Sequence, residues 1–147
     1  MVPARYMARI ADGVLAEALT TSGAVQVKGP KWCGKTATSL QQAASVVYLQ
    51  DPDRSASYLA LADAKPSALL EGRTPRLIDE WQMAPQLWDA VRFAADLRGE
   101  PGQFVLTGSS TPTVGGAHSG VGRIAPMVMR TMTLFESEDS SGRISLQ

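Results

Sequence analysis

Residues 29–36 read Gly29-Pro30-Lys31-Trp32-Cys33-Gly34-Lys35-Thr36. They match G-x-x-x-x-G-K-[ST] at every fixed position, and each position has a physical reason. Gly29 lets the chain leave a preceding strand at dihedrals that other residues avoid. Pro30, Lys31, Trp32 and Cys33 then curl so that successive backbone N–H groups face one concavity, a nest for an anion. Gly34 leaves room for a phosphate to lie against the main chain. The helix that follows opens with unpaired N–H groups and the positive end of its dipole toward that anion. Lys35 is placed to reach the β- and γ-phosphates of a nucleoside triphosphate, and the hydroxyl of Thr36 to ligate Mg²⁺. Alone, the octamer also describes a Gly-rich loop with a surface lysine. Its flanks decide between the two, because a strand must precede the loop and a helix must follow it. Trp32 is read as a packing aromatic in preference to a stack on bound nucleotide. Cys33 is read as a small buried hydrophobe.

The flanks meet the requirement. Ala24-Val25-Gln26-Val27-Lys28-Gly29 alternates as a strand does, and 35–44 reads as a helix with Ala37, Leu40 and Ala44 on one side. Upstream, 6–20 reads as a helix whose apolar face is Ile10, Val14, Leu15, Ala18 and Leu19, stopped by Ser22 and Gly23. Downstream, 46–49 is a short buried strand, 55–64 a helix and 66–70 a further helical turn. A very short strand at 76–79 follows. The helix with the clearest pattern is 85–98, with Leu87, Trp88, Val91, Ala94 and Ala95 inward and Gly99 at its end. A strand at 104–107, an aperiodic Ser/Thr/Gly/Pro loop at 109–122 and a last strand at 127–134 complete the pattern. Strands alternating with helices predict an α/β fold, a mostly parallel sheet covered on both faces.

Forty-four residues beyond Lys35 comes Leu77-Ile78-Asp79-Glu80. Two adjacent acids at the end of a buried strand are costly unless something uses them. A phosphate-binding protein uses both. Asp79 is placed to hold the Mg²⁺ shell, and Glu80 to orient and deprotonate an attacking water. The plainer alternative is a solvated strand-to-loop turn. Phe104-Val105-Leu106-Thr107-Gly108-Ser109 ends another apolar strand in small polar groups, and strand ends of a parallel sheet gather at the ligand edge. Thr107 and Ser109 are therefore candidates for touching the γ-phosphate or positioning the water, with a simple Ser/Gly turn as the alternative. Arg123, after Gly122, offers a guanidinium that would stabilise charge on the transferred phosphoryl group, or else a solvated loop cation. His118 has no partner that the sequence names.

Composition narrows the classes. The chain has 147 residues with 44% apolar side chains, enough for one domain with a real core. One Cys and one His exclude an internal disulfide framework and a multi-Cys zinc site. Fourteen basic residues balance 14 acidic ones, which argues against a nucleic-acid binder driven by bulk charge. No stretch approaches the roughly 20 apolar residues of a membrane span, and the charged N-terminus does not read as a secretory signal. The expected compartment is the cytoplasm.

These stretches, in this order, resemble the bacterial and archaeal AAA-type ATPase family whose members usually carry a C-terminal DUF4143 domain. The resemblance rests on Tyr6…Arg9-Ile10-Ala11-Asp12, on residues 29–36, and on Leu77-Ile78-Asp79-Glu80-Trp81-Gln82. It rests further on Phe104-Val105-Leu106-Thr107-Gly108-Ser109-Ser110, on Val121-Gly122-Arg123 and on Met132-Thr133-Leu134-Phe135-Glu136-Ser137. The Asp-Glu-Trp-Gln and Thr-Gly-Ser-Ser stretches are its more specific parts. It implies a three-layer P-loop sandwich with residues 29–36 as Walker A, Asp79 and Glu80 as Walker B, Thr107 or Ser109 near the sensor position, and ATP and Mg²⁺ as ligands. It also implies residues 1–147 as an ATPase core lacking the C-terminal domain with which such proteins normally continue. The leading function is therefore hydrolysis of Mg-ATP to drive a conformational change, with a homo-oligomer or a protein partner as its context. A nucleotide-dependent switch without turnover is the first alternative. A small-molecule kinase is the second: Asp51-Pro52-Asp53-Arg54 could be mistaken for a substrate-binding acid pair, but Asp79-Glu80 fits water activation better than acceptor binding.

Overall fold

The structure is a computed structural model that describes residues 9–30, 33–109 and 124–130. Five strands form one sheet: β1 (Ala24–Gly29), β2 (Ser45–Tyr48), β3 (Arg76–Asp79), β4 (Phe104–Ser109) and β5 (Ile124–Val128). Their order is β2-β3-β4-β1-β5, and every pairing is parallel. Among the described residues four helices accompany them: α1 (Ile10–Thr21), which leads into β1, and α2 (Lys35–Leu40), α3 (Ser55–Ala64) and α4 (Leu87–Arg98), with 3₁₀ turns at Pro66–Leu70 and Trp81–Met83.

The two-residue period of the strands sorts the core into two layers. Ala24, Val47, Ile78, Phe104, Leu106 and Ile124 face one side, where they meet Ala62 of α3, Leu69 and Leu70, and Leu87, Val91 and Ala95 of α4. Val25, Val27, Leu77, Val105 and Met127 face the other, against Leu15 and Leu19 of α1 and the flank of α2. The result is a three-layer α/β/α sandwich, as the alternating pattern predicts. Phe104, Leu77, Ile78 and Leu106 have no exposed surface. Burying each such side chain contributes about 1.5–3 kcal/mol.

Several boundaries differ from the sequence reading. Helix α2 stops at Leu40, four residues early, and its buried face is Thr38 and Ser39 instead of Ala37 and Ala44. Small side chains let this short helix approach β1 and β4 closely. On α1 only the Leu15/Leu19 side is covered, while Ile10 and Val14 are 63% and 50% exposed. Strand β4 continues two residues past Thr107, through Gly108 to Ser109. Strand β5 starts at Ile124, three residues before the expected 127, and runs through Pro126. It pairs with β1 alone, at the sheet edge, where a residue without an N–H is tolerated. Most of the expected 109–122 loop, and the end of the expected 127–134 strand, lie outside the described residues.

Candidate functional site

The sheet order brings the two motifs together. Strand β4 lies between β1, which feeds the 29–36 loop, and β3, which ends in the acid pair. All three strands point the same way, so Gly29, Asp79 and Thr107 arrive at one edge. In register, Gly29 lies beside Ser109, and Asp79 beside Thr107.

At that edge one carboxylate oxygen collects two hydroxyls. Thr36 Oγ1, in the first turn of α2, donates to Asp79 Oδ1 at 2.6 Å, and Thr107 Oγ1 donates to the same oxygen at 2.7 Å. Thr107 is fully buried, and its hydroxyl also accepts the backbone N–H of Glu80 at 3.2 Å. Glu80 sits at φ 60, ψ 50, in the left-handed region that non-glycine residues seldom occupy. Such conformations cost on the order of 1 kcal/mol and persist where the surroundings hold them. Here the holders are the Thr107 hydroxyl and the 3₁₀ turn that follows, anchored by Trp81 against Trp88 of α4 with ring centroids 5.1 Å apart. The Glu80 side chain then accepts Gln82 Nε2 at 2.7 Å. Gln82 Oε1 is buried and has no hydrogen-bond partner among the described residues. Beside the carboxylates, burial first and the Asp79 charge second push the Tyr48 phenol above its ordinary pKa.

Within the loop, the described residues are held by contacts of their own. Lys35 is only 6% exposed, and its ammonium folds back to the carbonyls of Gly29 and Pro30 at 2.9 and 2.8 Å. Cys33 is a free, buried thiol packed in the α1/α2 layer, as read from the sequence. The residue in a left-handed conformation is Gly34, at φ 93, and not Gly29. Gly29 is required for space: a Cβ there would stand 2.6 Å from the Met129 carbonyl oxygen and 2.8 Å from Cys33 Sγ. Lys31, Trp32, Arg123 and His118 lie outside the described residues.

A comparison with protein families matches residues 21–138 to the AAA domain. The chain belongs to that family. A comparison with curated proteins finds no match. Nucleotide binding is accordingly the coarse function of this AAA domain. Among its described residues no helix is long and apolar enough to cross a membrane.

The donor set of the AAA domain suits a hard cation. The Asp79 carboxylate and the Thr36 hydroxyl are oxygen groups already in contact that could hold such an ion, and Mg²⁺ takes one or two such groups together with phosphate oxygens and water. Two residues of the site were not singled out as functional in the sequence. Gln82 stands two positions after Glu80, inside the Asp-Glu-Trp-Gln stretch, where its neighbourhood was the available signal. Arg9 stands 24 positions before Cys33, outside both motifs, yet its guanidinium reaches the loop carbonyl of Cys33 at 2.6 Å. No local pattern announces that contact.

Proposed function

We propose that this AAA domain binds Mg-ATP on residues 29–36 and hydrolyses it to ADP and phosphate. The observation that carries the reading is the convergence of Thr36, from the loop, and Thr107, from β4, on Asp79, with Glu80 next to it in a held, uncommon conformation.

The chain's own residues divide the work as follows. Backbone N–H groups of the loop and of the start of α2 receive the phosphates. The Lys35 ammonium, held inside the loop by two of its three donors, turns its charge to the β- and γ-phosphate oxygens. Thr36 and Asp79 would hold Mg²⁺, which when bound neutralises charge on the phosphates. Thr107 fixes the Asp79 oxygen and the Glu80 backbone, so it acts as a positioning residue and not through direct phosphate contact. Glu80 accepts the proton of the attacking water, and Gln82 orients the Glu80 carboxylate. Ser109, at the end of β4 beside Gly29, borders the γ-phosphate end, and Arg123 supplies charge to the transferred group.

In the kinase reading's stretch, Asp51 Oδ1 accepts the Asp53 backbone N–H at 3.0 Å within an exposed turn, a local role that needs no substrate. Phosphate release by wild type, Lys35→Ala and Glu80→Gln tests the proposal. The expected result is loss of turnover in both variants, with nucleotide still bound by Glu80→Gln. Equal rates in all three would overturn it. Binding by wild type without phosphate release would select the switch.

A further inference from the structure

Arg9 lies outside both motifs, is 9% exposed, and spends its side chain on main-chain oxygens of two other elements. One guanidinium nitrogen donates to the Cys33 carbonyl at 2.6 Å and the other to the Arg130 carbonyl at 2.8 Å. Its backbone is equally fixed. Arg9 caps α1, its N–H donating to the Asp12 carboxylate at 2.8 Å and its carbonyl accepting the Asp12 N–H at 3.0 Å. The guanidinium is therefore a strut between the start of α1, the phosphate loop and the end of β5.

We infer that Arg9 is a positioning residue for phosphate binding, because it sets the orientation of the Cys33–Gly34 peptide. A trans peptide is planar, and its C=O and N–H point in opposite directions. With the Cys33 oxygen held by Arg9, the Gly34 N–H is turned the other way. That N–H makes no hydrogen bond among the described residues, and it belongs to the loop residue in the left-handed conformation. A Cβ on Gly34 would stand 2.8 Å from an Arg9 guanidinium nitrogen, so a side chain there would have to displace the strut as well as adopt the φ of 93°. A lysine cannot replace the strut, because a single ammonium on a flexible stem does not reproduce a planar fork spanning two carbonyls. The inference rests on the reading of residues 29–36 as the phosphate site.

The test compares wild type, Arg9→Met, Arg9→Lys and Lys35→Ala in the full chain. Affinity for a non-hydrolysable ATP analogue with Mg²⁺ is measured by calorimetry, and the Gly34 amide of the free protein is followed by NMR. Arg9→Met is expected to bind about tenfold more weakly, the loss of one charge-assisted hydrogen bond. Its Gly34 amide signal should shift and exchange faster with solvent, while Arg9→Lys recovers only part of either effect. Unchanged affinity and an unmoved Gly34 signal in Arg9→Met, with binding lost in Lys35→Ala, overturn the inference and leave the functional reading standing. No binding by wild type overturns the functional reading and the phosphate role of Arg9 together. In that case the Gly34 signal still reports whether the strut sets the peptide. Should Arg9→Met not fold, Arg9→Lys decides: wild-type affinity and an unmoved signal there overturn the inference.

Discussion

Asp79 Oδ1 accepts two hydroxyl protons, and the residue that supplies the buried one is the better probe of the site. Replacing Thr107 by Val keeps the shape and removes the hydroxyl, which leaves Asp79 short of a donor and the Glu80 N–H without its acceptor. Each lost neutral-to-charged or buried contact costs about 1–2 kcal/mol. Thr107→Val is therefore expected to lower unfolding free energy in urea by that order. On the proposed reading, in which Thr107 positions Asp79 and Glu80 and does not contact the nucleotide, it should also reduce kcat more than it raises KM. Thr107→Ser should restore most of both. Tyr48 gives a pH prediction from the same corner. Its phenol is raised above about 10 by burial and then by Asp79. Below that pH both folded and unfolded chains keep the proton, so the contribution is fully present. Above it the unfolded chain ionises first, and stability falls until the folded phenol also ionises. Urea midpoints at pH 9 and 11 should drop less in Tyr48→Phe than in wild type. Equal drops would show that Tyr48 does not carry this dependence.

At the scale of elements, what the sequence reveals follows from how local each cause is. Helix α4 was legible because its inward stripe, Leu87, Val91 and Ala95, and its stop at Gly99 are all written within the element. Strand β5 begins three residues before the expected 127 and includes Pro126, and the edge position that makes a residue without an N–H acceptable there is not written within the element. The need for glycine divides in the same way. Gly99 ends α4 at φ 68, and a Cβ there meets nothing within 4 Å. Gly29 has no positive φ, but Met129, just past β5, and Cys33 press against it. Gly99→Ala is thus expected to cost about 1–2 kcal/mol of stability, the ordinary penalty of a left-handed side chain, and to leave nucleotide affinity unchanged. Gly29→Ala must move the Met129 backbone or the Cys33 side chain, so it should lower stability and nucleotide affinity together. Denaturant unfolding and titration of both variants check the contrast.

At the scale of the molecule, strand order decides whether the motifs form one site, and no local pattern encodes it. The chain crosses from β1 to the far edge at β2 and returns through β3 and β4, and β5, the last strand among the described residues, lies on the other side of β1. Only because β4 fills the gap between β1 and β3 does Thr107 face Asp79 while Ser109 lies beside the loop. The acid pair and the loop were each readable from their own residues. Thr107 was readable as a candidate but its bond to Asp79 was not, nor was the Arg9 strut, because their partners are 28 and 24 positions away along the chain. A site assembled from several strands and α1 should report occupancy through the whole fold. A ligand present at about 100 times its Kd stabilises the native state by about 2.7 kcal/mol. For a domain of this size that corresponds to a melting shift of roughly 5–10 °C. Mg-ATP is expected to produce that shift in wild type and in Glu80→Gln, whose loop and Asp79 are intact, and not in Lys35→Ala. The Glu80→Gln result separates holding the nucleotide from cleaving it. A shift of equal size in Lys35→Ala would mean that the nucleotide stabilises the protein from somewhere other than residues 29–36.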